Sequence, residues 1–221
     1  MPRVSDVFNG VTSLGPGRRL GIWFQGCGFA CRGCMSRHTW DPAGGRELSV
    51  DRFTAIWQAA LDGGAEGLTV SGGEPLDQPQ ALGELLAAAD EIRTAAGQPA
   101  DRAADFLLYT GREPAEIEAD SVLSDALRLV DVVITGRYDV TRPTDLVWRG
   151  SANQQMTART PLGLTRYAPH LERVTDRPTL QTRVADGSVR VIGVPRRGDL
   201  ATLERELRRR GVFFEETSWR P

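Results

Sequence analysis

Lysine is absent. All 27 basic residues of the 221-residue chain are arginine, which excludes Schiff-base catalysis, a lysine-linked pyridoxal phosphate and any P-loop that needs its lysine. No apolar run approaches the roughly 20 residues of a membrane helix. Met1–Asp6 holds no apolar stretch of a secretory signal. The expectation is therefore a cytoplasmic protein with no membrane partner. Net charge is only −2, so a broad phosphate-binding surface is not advertised and no nucleic-acid partner is expected. Cysteine is almost absent too. The three present, Cys27, Cys31 and Cys34, fall within eight residues. An odd, tightly clustered set makes a poor disulfide framework and a good metal-ligand cluster.

What is there reads as a globular α/β chain, with 40% hydrophobic and 25% charged residues. A strand-like run, Leu20–Gln25, leads into the glycine-rich loop that holds the cysteines. Ser49 is placed to cap a helix with Phe53, Ile56, Trp57, Ala60 and Leu61 on one face, stopped by Gly63-Gly64. Gly67–Ser71 predicts a buried strand ending in Gly72-Gly73. The pattern then repeats. Leu82, Leu85, Leu86, Ala89 and Ile92 mark a second helix, Phe106–Thr110 a strand closed by Gly111, Ser124–Leu129 a shorter helix, and Asp131–Thr135 a strand closed by Gly136. Strands alternating with helices predict a parallel sheet covered on its faces.

Beyond Tyr138 the rhythm changes. Residues 139–178 show no clean period. Leu180–Val184 and Val189–Ile192 flank Ala185-Asp186-Gly187-Ser188, a tight-turn hairpin. Asp199 is placed to cap a last helix carrying Leu200, Leu203 and Leu207, ending near Gly211. No repeat or linker divides the chain, so residues 1–221 are read as one domain, with 141–221 as an extension of the part that carries the motifs.

Cys27-x3-Cys31-x2-Cys34 offers three thiolates from one loop. A structural zinc wants a fourth ligand, for which His38 is a candidate. A ferredoxin-type cluster takes four cysteines, and this chain has none to spare. Three thiolates on a four-iron cluster leave one iron without a protein ligand, which fits a reactive site better than a passive electron carrier. After the next strand stands Ser71-Gly72-Gly73-Glu74-Pro75, two glycines that allow close backbone approach followed by a carboxylate. Taken alone, it reads equally as a glycine turn with a surface glutamate.

The cysteine spacing resembles that of the radical S-adenosylmethionine (SAM) enzymes, and Gly72-Gly73-Glu74-Pro75 is similar to the family motif that contacts the methionine amino group. Gly15–Arg19, Trp23–Cys27, Cys31–Cys34 with Trp40, Tyr109–Gly111 and Asp131–Tyr138 further resemble the compact branch that makes radicals on glycyl-radical enzymes. Together these cover roughly residues 10–140. The resemblance implies a partial (β/α) barrel of about five to six strands with an irregular C-terminal part and a β-hairpin.

It also implies roles. Cys27, Cys31 and Cys34 would hold one 4Fe-4S cluster, and Gly72, Gly73, Glu74 and Pro75 would hold the methionine of SAM. Thr110 would reach the SAM ribose, and Arg137 would face the SAM carboxylate or a substrate anion, against the alternative of a solvated loop cation. No catalytic side chain beyond cluster and SAM is expected. Relatives show an aromatic residue before the third cysteine, where this chain has Gly33; Met35 is a candidate for that place. Phe29 reads as a shield for the cluster, and Arg149 with Asn153 and Gln154 as candidate substrate contacts. The activity implied is reductive cleavage of SAM to a 5′-deoxyadenosyl radical that abstracts hydrogen from a glycyl-radical partner protein. A reductant such as flavodoxin or ferredoxin would supply the electron. Two alternatives remain: modification of a peptide or small metabolite, with residues 139–221 shaping the pocket, and a non-catalytic iron–sulfur or zinc module.

Overall fold

The computed structural model describes residues 1–97, 99, 103–185 and 187–219. Its centre is a run of parallel strands: β2 (Arg19–Phe24), β4 (Gly67–Gly72), β5 (Asp105–Tyr109) and β6 (Val132–Thr135). Antiparallel strands flank it. On one side β1 (Arg3–Val11) pairs with β2 and with the two-residue β3 (Arg46–Glu47), and on the other β7 (Gln155–Ala158) pairs with β6. The result is one seven-stranded sheet in the order β3-β1-β2-β4-β5-β6-β7, a mixed α/β architecture with a parallel middle.

The middle strands are apolar because both faces are covered. One face, with Leu20, Ile22, Phe24, Leu68, Val70, Phe106 and Leu108, packs against α1 (Val50–Asp62) and α2 (Pro79–Ala95). Ser49 caps α1 by accepting the Arg52 N–H, and Phe53, Trp57 and Ala60 are the residues it buries. Trp57 also donates its indole N–H to the Ala89 carbonyl of α2 at 3.1 Å. The other face, with Leu107, Val132 and Ile134, packs against Met156 of β7 and Tyr167 of α5 (Pro161–Tyr167). At the sheet's N-terminal edge, apolar packing gives way to a buried ionic node. Asp105 takes Arg19 at 2.6 Å, Arg166 at 3.1 Å and the Tyr167 hydroxyl at 2.7 Å.

Four stretches depart from the expectations. β1 carries two register shifts, between Val4 and Asp6 and between Asn9 and Val11, which erase the alternation that would have announced it. The single helix expected over Ser124–Leu129 is instead two short ones, α3 (Pro114–Glu118) and α4 (Ser121–Ala126). Asp120 separates them, because its carboxylate accepts the Val122 and Leu123 N–H groups as a cap. The stretch 139–178, which showed no period, holds β7 and α5. Thr160 starts α5 by accepting the Gly163 N–H while donating its own hydroxyl to Asp131 at 2.6 Å. Finally, Gly198 rather than Asp199 precedes α6 (Asp199–Arg209), in a left-handed conformation at φ +94°. Asp199 is the first helical residue, and its carboxylate takes the Arg196 N–H at 2.8 Å.

The expected hairpin is present as β8 (Leu180–Ala185) and β9 (Ser188–Gly193); Asp186 of its turn lies outside the described residues. This hairpin is anchored to β1. Gln181 accepts the backbone N–H groups of Thr12 and Ser13 and the Ser13 hydroxyl, and donates to the Gly10 carbonyl. Among the described residues no helix is long and apolar enough to cross a membrane.

Candidate active site

The cysteine loop is an excursion closed at its root. Gly26 N–H donates to the Thr39 carbonyl at 2.7 Å and Cys27 N–H to the Trp40 carbonyl at 3.1 Å. The Gln25 side-chain amide binds the carbonyls of His38 and Asp41. Within the loop, Cys34 N–H donates to the Cys31 carbonyl, and the Ser36 N–H faces the Cys34 sulfur at 3.4 Å. The three thiols are free and half-buried, and all line one cavity of about 460 Å³. Burial pushes the Cys27 and Cys31 thiols above the ordinary range. The Phe29 N–H opposes this at Cys27. The nearby Cys34 adds to it at Cys31, where the Tyr138 N–H and Arg137 pull back.

The strand that ends in Gly72 is tied to the root of this loop. Gly73 N–H donates to the Phe24 carbonyl and Glu74 N–H to the Gly26 carbonyl, both at 2.8 Å. Glycine is required at both positions. Gly72 sits at φ +118°, and a Cβ on it would strike the Phe24 backbone. A Cβ on Gly73 would strike the Gly26 carbonyl. The pair therefore serves the approach of two strand ends, and its exposed side lines the same cavity as the cysteines.

Glu74 is fully buried and accepts three hydrogen bonds: from Leu76 N–H at 2.9 Å, from the Thr110 hydroxyl at 2.7 Å and from Gly111 N–H at 2.7 Å. Burial raises its pKa, while the three donors hold it down. Pro75 is buried and opens a short 3-10 turn, Pro75–Asp77. Thr110 lines the cavity, but its hydroxyl is committed to Glu74 and accepts the Arg112 N–H at 3.0 Å.

Arg137 lies elsewhere. It pairs with Glu116 at 2.8 Å and stacks its guanidinium 4.4 Å from the centre of the Phe29 ring. Arg112, paired with Asp77, stands 5.0 Å from the same ring. Phe29 and Met35 both line the cavity. His38 is exposed, and among the described residues no three His, Cys, Asp or Glu side chains form a group that one metal ion could bridge. Three cysteine thiols lining one half-buried cavity fit a four-iron cluster with one iron open. Asn153 and Gln154 bind backbone: Asn153 the Arg137 carbonyl, and Gln154 the Gly136 carbonyl and the Gly150 N–H.

Sequence reasoning missed part of the wall. Tyr109, Tyr138, Trp148, the stretch 191–198 and Trp219 also line this cavity. Tyr109 and Tyr138 lie in stretches that carried the resemblance, whereas nothing in the pattern marked Trp219.

A family model described as a 4Fe-4S single cluster domain matches residues 13–157. The chain belongs to the single-cluster 4Fe-4S family of radical SAM activating enzymes. It is therefore an enzyme whose cofactors are a 4Fe-4S cluster and SAM. An anaerobic ribonucleoside-triphosphate reductase-activating protein of Pasteurella multocida (strain Pm70) is 33% identical over 153 residues, spanning 68% of this chain and 90% of that protein. The protein of the same name from Enterobacteria phage T4 is 30% identical over 146 residues, 66% of this chain and 87% of its own length. A pyruvate formate-lyase-activating enzyme of Clostridium pasteurianum matches over 75 residues at 40% identity, about a third of either chain. The family match ends at residue 157, so β8, β9 and α6 lie beyond it.

Proposed function

We propose that this enzyme activates a glycyl-radical partner protein by removing hydrogen from a backbone glycine. With cluster and SAM bound, the site supplies reductive cleavage of the sulfonium to methionine and a 5′-deoxyadenosyl radical. The observation that carries this reading is the convergence of Cys27, Cys31, Cys34, Gly72, Gly73 and Glu74 on one cavity. The names of the relatives supply the partner class.

In this reading the three cysteines hold the cluster. The backbone of Gly72 and Gly73 and the carboxylate of Glu74 receive the methionine amino group, with Pro75 fixing the turn. Thr110 acts through Glu74, since its hydroxyl and the Gly111 N–H orient that carboxylate and leave one face of it toward the cavity. Arg137 acts from outside, bracing Phe29 over the cysteine loop; excluding water there protects a cluster and tunes its potential. Residues 1–221 form one domain whose sheet curls into a partial barrel, with the motifs on its C-terminal rim as in other barrel enzymes. A small electron carrier such as flavodoxin or ferredoxin would serve as reductant in a cytoplasmic setting.

A second reading, modification of a peptide or small metabolite, draws support from the stretch 191–198 and Trp219, which narrow the cavity with residues beyond the family match. Both readings are tested by incubating the reduced, cluster-loaded enzyme with SAM and a candidate partner deuterated at glycine Cα. Deuterium entering 5′-deoxyadenosine is the expected result. Cleavage of SAM with no deuterium from any glycyl-radical partner would move the assignment to the second reading.

A further inference from the structure

Phe29 stands between Cys27 and Cys31, and residues that follow two other strands, β5 and β6, enclose its ring. Gly111 lies against it: a Cβ there would stand 2.7 Å from two carbons of the ring. The backbone of Gly111 is not left-handed, so it is the ring that a side chain at this position would disturb. The guanidinium groups of Arg112 and Arg137 stand 5.0 Å and 4.4 Å from the ring centre, within the range at which a cation is attracted to an aromatic face. Each is itself tethered, Arg112 to Asp77 at 2.7 Å and Arg137 to Glu116 at 2.8 Å. Glu116 is held in turn by the Glu113 N–H at 2.7 Å. The two arginine-bearing segments are joined where Gly136 N–H donates to the Arg112 carbonyl at 3.0 Å.

The same segment holds Glu74. The Thr110 hydroxyl and the Gly111 N–H both donate to that carboxylate at 2.7 Å, and the Arg112 N–H donates to the Thr110 hydroxyl at 3.0 Å. Asp77, the partner of Arg112, ends the short turn that Pro75 opens directly after Glu74. Thr110-Gly111-Arg112 thus meets Glu74 through its first two residues and Phe29 through its last two. On the loop side, the N–H groups of Phe29 and Ala30 face the Cys27 sulfur. Ala30 is held at φ +48°, a left-handed conformation that residues other than glycine seldom keep unless their surroundings enforce it.

We infer that Phe29 is a positioning residue: clamped by Gly111, Arg112 and Arg137, its ring fixes the cysteine loop relative to the Glu74 carboxylate. The loop and the carboxylate must serve one bound molecule, and a displacement of about 1 Å between them is enough to spoil such a site. The clamp deepens the activating reading and rests on it only for the assignment of Glu74 to the methionine amino group.

Two measurements test this, and the first needs neither cluster nor SAM. In the metal-free protein, Phe29→Ala should speed amide exchange about tenfold at the Gly111 N–H, bonded to Glu74, and at the Cys34 N–H, bonded to the Cys31 carbonyl, with β4–β6 unchanged. Gly111→Ala, which pushes the ring aside, should speed the Cys34 amide as well, and it keeps the test open should Phe29→Ala fail to fold. The second measurement is equilibrium binding of SAM to the cluster-loaded enzyme. Phe29→Ala and Gly111→Ala should each weaken it by about tenfold, and the double variant by no more than either alone, because both act through one contact. Arg137→Met should weaken it severalfold, and Arg137→Lys, which keeps a cation by the ring, by less. Unchanged exchange at either amide in Phe29→Ala would overturn the clamp. So would multiplying losses in the double variant, which would mean that Gly111 acts on Glu74 without the ring. Wild-type SAM affinity in Glu74→Gln, with the exchange response intact, would overturn the assignment of Glu74 alone.

Discussion

The parallel half of the molecule and its last fifth are held together by different physics. From β2 to β6 the strands are buried on both faces, and the largest buried polar residues are paired: Arg19 with Asp105, and Glu74 with three donors. From β8 onward the attachment is a small apolar cluster, in which Ile192 of β9 meets Val11 and Leu14, together with individual side-chain tethers. Gln181 ties to Gly10, Thr12 and Ser13, Arg190 pairs with Asp6, Arg183 lies 5.1 Å from the Phe8 ring, and Ser218 donates to the Met35 carbonyl at 2.7 Å. α6 buries no residue, and Phe213 beyond it is 71% exposed. The two regions nevertheless line one cavity. The rigid half presents the thiols and the Glu74 carboxylate, which need fixed geometry. The tethered last fifth supplies wall.

That contrast can be broken in three places. The largest effect is expected at Cys31→Ala, which should reduce 5′-deoxyadenosine formation to background while far-UV circular dichroism and the unfolding midpoint of the metal-free protein stay near wild type. Retained SAM cleavage would mean that the loop is not the cluster site. Next comes Asp105→Ala, which strands two arginines and the Tyr167 hydroxyl in the interior and should cost about 3–5 kcal/mol, read as a lowered urea midpoint for the whole chain. A loss below about 1 kcal/mol would show that water replaces the carboxylate and that the rigid half is softer than its burial implies. Smallest is Gln181→Ala. It should cost about 1–2 kcal/mol locally, seen as faster amide exchange in β8, β9 and α6 with no change in β4–β6. Faster exchange in both regions would dissolve the distinction.

Legibility in the sequence followed the same division. α1 and α2 were readable because their apolar residues recur at helical spacing over more than two turns, and β2, β4, β5 and β6 because strands covered on both faces are continuous apolar runs. β1 escaped because its bulges shift the alternation, and β7 because four residues carry no period. The cysteines and Gly72–Pro75 were readable as contiguous motifs. What each glycine does was not, since the close approach belongs to Phe24 and Gly26 on another strand. Arg137 was assigned from its place after a strand, and its pairing with Glu116 depends on α3, which no pattern announced. Tyr109 and Trp219 come to one cavity only through folding, from segments too far apart in the chain for spacing to connect them.

The root of the cysteine loop is closed without help from the thiols. Gly26 with Thr39, Cys27 with Trp40, and the Gln25 amide across both sides close the excursion by hydrogen bonds of the polypeptide itself. These contacts use none of the three sulfurs, so the groups that would ligate the cluster take no part in holding the loop shut.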